Sequence, residues 1–258
     1  MNLFDLTGKV AIVTGSTKGI GEAIAWRMAQ HGARVIVSSR KADACETVAA
    51  AINERYGQKE SVAHPIACNI AHREQLEGLV SQTRAVFGKI DILVCNAAVN
   101  PYFGPMANCP DEAFDKIMGS NVRSNFWLCN MVLPEMAARK DGAVIIVSSI
   151  GGIKGSALLG AYAISKAADF QLARNIAVEY GPMNVRANAI APGLIKTHFA
   201  KALWENEEIL KHANAGTPLR RIGMPDEIAG AAVFLASSAG AYTTGQALVI
   251  DGGRTIAE

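Results

Sequence analysis

The sequence predicts an α/β fold, a single-domain Rossmann-like doubly wound parallel sheet with helices on both faces. Three observations lead there. Short, continuously apolar, β-branched runs alternate with longer helical stretches along the chain, the pattern of strands buried on both faces. A glycine-rich segment, TGSTKGIG (14–21), joins the first such run to the first helix. The chain has 258 residues, of which 50% are hydrophobic and 19% charged, enough for one large core.

The elements follow in order. KVAIVTG (9–15) reads as a buried strand, and the next helix runs from about Gly19 to His31. ARVIVSS (33–39) is a second β-branched strand, followed by a helix over ADACETVAAAINERYG. SVAHPIAC (61–68) gives a third strand and REQLEGLVSQTRAVFG (73–88) a third helix. DILVCN (91–96), GAVIIVSS (142–149) and VRANAI (185–190) add three strands, separated by long helices near 111–138 and 160–180. ALVIDGG (247–253) closes the chain as a final strand. In such a sheet the ligand lies beyond the carboxyl ends of the strands. The least regular segment, 191–224, contains PGLIKTHFAKALWENEE and GTPLRRIGMP. An excursion of that length within one domain reads as a substrate lid, within about 194–224 of the 1–258 unit.

Composition excludes several classes. A net charge of +2 without a dense Lys/Arg run gives no footprint for nucleic acid. The five cysteines are odd in number and include no CxxC pair, which disfavours a disulfide framework or zinc site and fits a reducing compartment. His198 and His212 show no ligand spacing, so no metal is expected. MNLFDLTGKV lacks the marks of a signal peptide, the apolar runs are too short to span a bilayer, and TIAE is no retention or peroxisomal signal. The expectation is a cytoplasmic protein with no membrane partner.

Two ends of a ligand site can be read directly. Gly15, Gly19 and Gly21, with Ser16, Thr17, Lys18 and Ile20 between them, let backbone approach a phosphate at a helix N-terminus. The spacing is GxxxGxG rather than GxGxxG, and a plain glycine-rich turn is the alternative. The second strand ends VIVSSRK (35–41). A carboxylate there would bond the ribose of NAD; Ser39, Arg40 and Lys41 instead suit a 2′-phosphate, with Lys18 in reach. NADP(H) is the expected cofactor, although Arg40 and Lys41 also suit a solvated helix start. At the other end, AYAISK (161–166) places Tyr162 and Lys166 four apart, on one helix face.

TGSTKGIG, CNAA (95–98), SNV (120–122), VSS (147–149), YAISK (162–166) and APGLIKT (191–197) occur in that order. Together they resemble the short-chain dehydrogenase/reductase family over essentially the whole chain. VSSRK, NAAVNPYFG and APGLIKT look closest to its NADPH-dependent carbonyl reductases related to a mammalian peroxisomal enzyme. The resemblance implies a catalytic tetrad of Asn121, Ser149, Tyr162 and Lys166. The family's spacing of thirteen between serine and tyrosine selects Ser149 over Ser148, and its pattern selects Asn121 over Asn125. It also implies adenine contacts from Asn69 and Ile70, where Asp is more usual than Asn69; bonds from Asn69 and Asn96 to neighbouring backbone are the alternative, compatible with binding. Asn96, Ala97 and Ala98 would line the cofactor, with Ala98 in place of a glycine. Pro192, Gly193, Ile195 and Thr197 would grip the nicotinamide and pyrophosphate, and Lys166 its ribose.

Physical chemistry agrees with these roles. Reducing a carbonyl needs hydride at carbon and a proton at oxygen. A tyrosine hydroxyl can give the proton, but bringing its usual value near 10 down to about 7 takes roughly 4 kcal/mol. An ammonium one turn away is a suitable source. Ser149 would donate to the developing oxyanion, and Asn121 would hold a relay water. Asn100, Tyr102, Phe103, Ile150, Leu159, Phe199, Leu203 and Trp204 surround the nicotinamide position expected in this fold, which suggests a hydrophobic ketone or aldehyde. The lid members equally suit packing or a subunit interface. The long helices near 111–138 and 160–180 resemble those the family uses for four-helix contacts, hence an expected homotetramer, with a dimer second. The rivals are a 3-oxoacyl-thioester reductase, docking an acidic carrier protein on Arg123, Arg139, Lys140 or Arg174, and a nonenzymatic NADP(H) sensor.

Overall fold

The continuous apolar runs become the interior of one parallel sheet. In the computed structural model, which describes residues 2–57 and 60–257 and leaves the Ala202 side chain aside, Val10–Thr14 (β1) is buried at every position. The 1–258 span and the TIAE terminus therefore extend beyond the described residues at their ends. Helix Gly19–Gln30 (α1) leads to Arg34–Ser38 (β2), and Ala42–Tyr56 (α2) to Ala63–Pro65 (β3). Arg73–Phe87 (α3) precedes Ile92–Cys95 (β4); Asp111–Met118 (α4) and Ser124–Arg139 (α5) precede Gly142–Val147 (β5). Gly160–Tyr180 (α6) returns to Val185–Pro192 (β6). Lys201–Trp204 (α7), Glu207–Ala215 (α8) and Pro225–Ala236 (α9) come before the edge strand Ala247–Ile250 (β7).

The strand order is β3-β2-β1-β4-β5-β6-β7, and every pairing is parallel. Alternate residues of each strand feed opposite cores. Val13, Val35 and Ile145 pack with Ile24, Met28, Ile52, Ile228 and Val233 from α1, α2 and α9. Ile12, Leu93 and Ile146 pack with Leu79, Leu128, Val132, Phe170 and Ile176 from α3, α5 and α6. The order reverses between β1 and β4, and a crevice opens at their carboxyl ends.

Four expectations change in detail. The third strand is three residues rather than 61–68, because it is the sheet edge and Pro65 has no N–H to give. Ile66 and Cys68 still donate to Val37 and Ser39 of the neighbouring chain segment. The final strand stops at Ile250, where the Asp251 carboxylate accepts from the N–H groups of Gly253 and Thr255 and turns the chain. The helix expected over 111–138 is interrupted by a π-helical turn at Gly119–Arg123. Helix α9 was not anticipated, although Pro225 in its first turn, Asp226 and Glu227 are helix-start signals.

The irregular segment is fastened at its ends. Ile195 bridges Gly223, with Lys196 N–H donating to the Gly223 carbonyl and Gly223 N–H to that of Leu194. What lies between is a closed excursion carrying α7 and α8. Among the described residues no helix is long and apolar enough to cross a membrane.

The excursion leads into α9 through Glu227, whose carboxylate accepts from Met224 N–H at 2.7 Å and from both terminal nitrogens of Arg221 at 2.6 and 2.8 Å. Arg221 first, and then the Met224 amide, hold Glu227 down at about 2. A lowered carboxylate contributes stability above its ordinary value of 4.5 and loses it as pH falls towards that lower figure. Glu227→Ala is expected to lower Tm by about 2–4 °C at neutral pH. In thermal scans the gap to the parent should close as pH falls below 4.5 towards 2; a gap independent of pH would contradict the capping account.

Candidate active site

At the reversal of strand order the carboxyl ends of β1, β2, β4 and β5 surround a cleft of about 420 Å³. Its walls include Gly15, Thr17, Lys18, Gly19 and Ile20 after β1, Ser39 and Arg40 after β2, and Asn69 and Ile70 after β3. Asn96, Ala97 and Ala98 follow β4, Tyr162 and Lys166 come from α6, and Thr197 from the start of the excursion. The sequence had put all of these at a ligand site. It had not singled out Cys68, Ala71, Val99, Lys116, Ser120 or His198, which also line the cleft. Val99 was within reach of sequence reasoning, since it continues the turn of Asn96–Ala98. Lys116 was not, because only the fold brings α4 over the cleft.

The glycine turn is shaped for close approach. Gly15 and Gly19 have φ of +67° and +61°, where a side chain is disfavoured. A Cβ on Gly15 would stand 3.0 Å from Ala97 Cα, and one on Gly21 would overlap the Gly15 carbonyl and the Asn96 amide. The first turn of α1 has no side-chain cap, as Lys18 at its N-cap makes no such bond. Its N–H groups are thus left for a ligand.

Several predicted residues support this turn from outside the cleft. Ser16 is buried; its hydroxyl donates to Val13 O at 2.7 Å and accepts from Ser38 N–H at 2.8 Å, tying β1 to β2. Gly21 packs beneath the turn, and Pro192, Gly193 and Ile195 lie in or beyond β6, with Gly193 N–H donating to Ile250 O. Lys41 is exposed at the N-cap of α2. Asn69 and Asn96 do both jobs. Asn69 Oδ1 accepts from Ala71 N–H, while Asn96 Nδ2 donates to Thr14 O and Gly15 O.

The cleft is strongly one-signed. Lys18, Arg40, Lys116 and Lys166 line it, and among the described residues no Asp or Glu does. Arg40 makes no hydrogen bond or ion pair with any described residue, so its guanidinium is available. Left-handed glycines, an uncapped helix end and a cation-only lining fit a phosphorylated dinucleotide.

The π-helical turn builds the chemical end. By adding a residue to one turn it buries Asn121 completely. Asn121 Nδ2 donates to Val99 O and Ser165 Oγ, both at 3.0 Å, while Oδ1 accepts from Val99 N–H at 2.9 Å. Both amide hydrogens of Asn121 are used, and Oδ1 and the main-chain oxygen each already accept one bond, the latter from Asn125 Nδ2. Ser165 passes the connection on, donating to Tyr162 O at 2.7 Å.

Ser148 and Ser149 separate cleanly. Ser148 is buried and donates to Lys166 O at 2.7 Å. Ser149 Oγ accepts from Gly151 N–H at 3.0 Å, which leaves its proton free to donate. A Cβ on Gly151 would lie 3.4 Å from Ser149 Oγ and 3.9 Å from Tyr162 Cε1, so the two side chains flank one point. Lys166 Nζ is 5.8 Å from the centre of the Tyr162 ring. It donates to Val147 O at 3.0 Å and to the buried Asp169 carboxylate at 2.9 Å. Burial pushes Lys166 down, but Asp169, together with Tyr162 and Cys95, holds the ammonium above its ordinary value. Burial pushes Asp169 up, against the pull of Lys166 and Asn125. The two face each other as an ion pair.

The predicted substrate residues are dispersed. Phe199 lines the cleft, its ring 6.3 Å from that of Tyr162. Ile150 instead faces a separate 220 Å³ pocket with Leu194, Thr217 and Arg254, because the turn after Ser149 carries it below the excursion. Trp204 lines an outer groove beside Trp26 of α1, where its indole N–H donates to Thr197 O at 2.8 Å. Leu203 and Leu159 are half-buried outside the cleft walls, and Phe103 is 59% exposed. Tyr102 spends its hydroxyl on Pro105 O at 2.8 Å. Asn100 keeps a buried carboxamide oxygen with no partner.

Comparison with known proteins gives a consistent answer. The family model described as enoyl-(acyl carrier protein) reductase matches residues 15–255. Dehydrogenase/reductase SDR family member 4 of Sus scrofa is 42% identical over 248 residues, covering 96% of this chain and 88% of that protein. A gluconate 5-dehydrogenase from Burkholderia cenocepacia, solved with NADP and tartrate, superposes with a TM-score of 0.94 at 29% identity, covering 100% and 99% of the two chains. A 7α-hydroxysteroid dehydrogenase, solved with NADH and 7-oxo glycochenodeoxycholic acid, gives 0.92 at 37% identity, covering 97% and 96%. Likeness of this degree over nearly the full length of both partners makes the chain an oxidoreductase of the short-chain dehydrogenase/reductase family.

Proposed function

We propose that the protein is an NADP(H)-dependent carbonyl reductase, interconverting a ketone or aldehyde and an alcohol with Tyr162 as general acid/base. The observation that carries this reading is that Tyr162 and the charged Lys166 line a cleft with cations and no acid among its described lining residues, while the Ser149 hydroxyl, outside the cleft wall, and the Tyr162 ring both approach Gly151. The turn at Gly15–Gly21 and the end of α1 would hold the pyrophosphate, Lys18, Ser39 and Arg40 the 2′-phosphate, and Lys166 the ribose near the nicotinamide. When bound, NADPH supplies the hydride for the carbonyl carbon. Ser149 donates a hydrogen bond to the carbonyl oxygen, where negative charge gathers. Tyr162 gives that oxygen its proton, and Lys166 stabilises the phenolate left behind. In the oxidative direction the same atoms move in reverse.

Phe199 against the Tyr162 ring supports a hydrophobic substrate. The fastened excursion 194–224 is the proposed lid. Outward apolar residues on the long helices, Phe126 on α5 and Ile164 and Val178 on α6, support a homotetramer. Five free thiols support a reducing, cytoplasmic setting. Two of the four basic residues of the thioester-reductase rival are engaged within the chain: Arg139 with Glu135 and Asp91, and Arg123 over Trp127.

The test is NADPH oxidation with aromatic ketones, α-dicarbonyls, steroid ketones and 3-oxoacyl thioesters, run beside NADH. Tyr162→Phe should lower turnover by about 10²–10⁴-fold while NADPH binding, read by fluorescence, stays within about twofold. Near-normal turnover in that variant would remove Tyr162 from the chemistry. Arg40→Asp should weaken NADPH by about 100-fold more than NADH. Equal losses for the two cofactors would take the 2′-phosphate away from Arg40.

A further inference from the structure

Asp169 has no part in hydride transfer or phosphate binding as described, yet it is wholly buried beside the reacting groups. Its Oδ2 accepts from Lys166 Nζ at 2.9 Å and its Oδ1 from Asn125 Nδ2 at 3.0 Å. The same Asn125 amide donates to Asn121 O at 2.7 Å, on the π-helical turn. Burying a carboxylate is costly unless every oxygen is served. Here three elements serve it: α5 through Asn125, α6 through Lys166, and the π-helical turn that anchors Asn125.

We propose that Asp169, clamped by Asn125, is a positioning residue that fixes Lys166 and offsets part of its charge at Tyr162, so that Tyr162 keeps the proton that carbonyl reduction needs. The proposal rests on the reading of Tyr162 as acid/base and deepens it. An ammonium alone would pull a neighbouring phenol strongly towards phenolate. An ammonium paired with a carboxylate presents a dipole, whose effect is weaker and falls faster with distance. Of the three N–H groups on Lys166 Nζ, Val147 O and Asp169 engage two. One remains for the cleft. The arrangement therefore sets both the direction and the strength of the lysine's influence, and it favours the protonated tyrosine over the phenolate that alcohol oxidation uses.

Other titratable or charged groups face this network. Cys95 of β4 and Cys129 of α5 lie beside Asp169 and Lys166, with the Cys95 thiol pushed up by its hydrogen bond with Cys129 and by burial, so it stays neutral. Lys18, Arg40, Lys116 and His198 share the cleft with Tyr162. Asp169 helps to keep the Cys95 thiol up, so neutralising it acts on Cys95 as well as on Lys166, whereas the cleft cations are unchanged in sequence between the variants.

The experiment follows the Tyr162 ring directly. Protein labelled with ¹³Cζ-tyrosine, without cofactor, is titrated by NMR, and the Tyr162 resonance is assigned by its loss in Tyr162→Phe. In Asp169→Asn the ionisation midpoint of Tyr162 should fall by about one pH unit. Asp169→Ser, a second neutral replacement with a hydroxyl to accept from Lys166, should give the same displacement, and circular dichroism identifies which variant is folded. The alkaline fall in kcat/KM for reduction should move down by the same amount, a displacement that a merely structural role would not produce. An unmoved midpoint in a folded variant would overturn the proposal. A midpoint that rises would also overturn it, by showing that Asp169 serves to keep Lys166 protonated instead. The titration needs no turnover, so it decides the role of Asp169 even if Tyr162→Phe were to remain active.

Discussion

The geometry of the site depends on a single carboxamide. Asn121 pairs with both backbone groups of Val99, as a neighbouring strand would, and bonds Ser165 on α6 as well. Between α4 and α5 one turn, Gly119–Arg123, widens into a π-helical turn, and Asn121 is borne on it. The helix gives up regular hydrogen bonding there and recovers it through the side chain. In return the loop after β4, which forms one wall of the cleft, is locked to the helix that carries Tyr162 and Lys166. The π-helical turn is a joint between the cofactor side and the chemical side of the molecule.

Charge is then distributed in two layers. The cleft surface presents lysines and arginine without a neighbouring acid, a field suited to a polyanionic ligand and costly to leave facing itself. Asp169, buried beside Lys166, is behind that surface and shielded from it by the lysine. Placing the carboxylate inside, where the dielectric is low, lets it act on Lys166 without repelling phosphate in the cleft. An acid on the cleft wall would do the reverse. Depth, more than identity, decides what this aspartate does.

How much of this was legible in the sequence depends on whether a feature is local. β1, β2, β4 and β5 were readable because strands buried on both faces must be continuously apolar. The glycine turn was readable because Gly15 and Gly19 sit at backbone angles other residues avoid. Asn121 was identified, but not the broken helix around it, since the cause is a bond to Val99 more than twenty residues away. Asp169 gave no signal: an acid three residues after a lysine on a helix is ordinarily a surface pair, and only tertiary packing buries it. Ile150 and Trp204 were assigned to the nicotinamide position by general likeness of fold, which does not fix where a turn of two or three residues points. Helix α9 did carry its start signals in Pro225, Asp226 and Glu227, and was overlooked because it directly follows the irregular excursion.

The contrast between the rigid interior and that excursion bears on specificity. Tyr162, Lys166 and Ser149 are held by buried strands, α6 and the Asn121 joint, none of which involves residues 196–222. Phe199 is the point of contact between the two regions, with its ring exposed on one side and tilted over Tyr162 on the other. The excursion is fastened at Ile195 and Gly223, where a Cβ on Gly223 would stand 2.6 Å from Ile195 Cδ1. Rearrangement of the segment between those points therefore changes what can reach the tyrosine without disturbing its partners. The residues proposed for proton transfer and the segment proposed as lid are thus held by separate sets of contacts. On the reading proposed above, changes at Phe199 or within the excursion would alter which substrate reaches Tyr162 while leaving the buried Asn125–Asp169–Lys166 network in place.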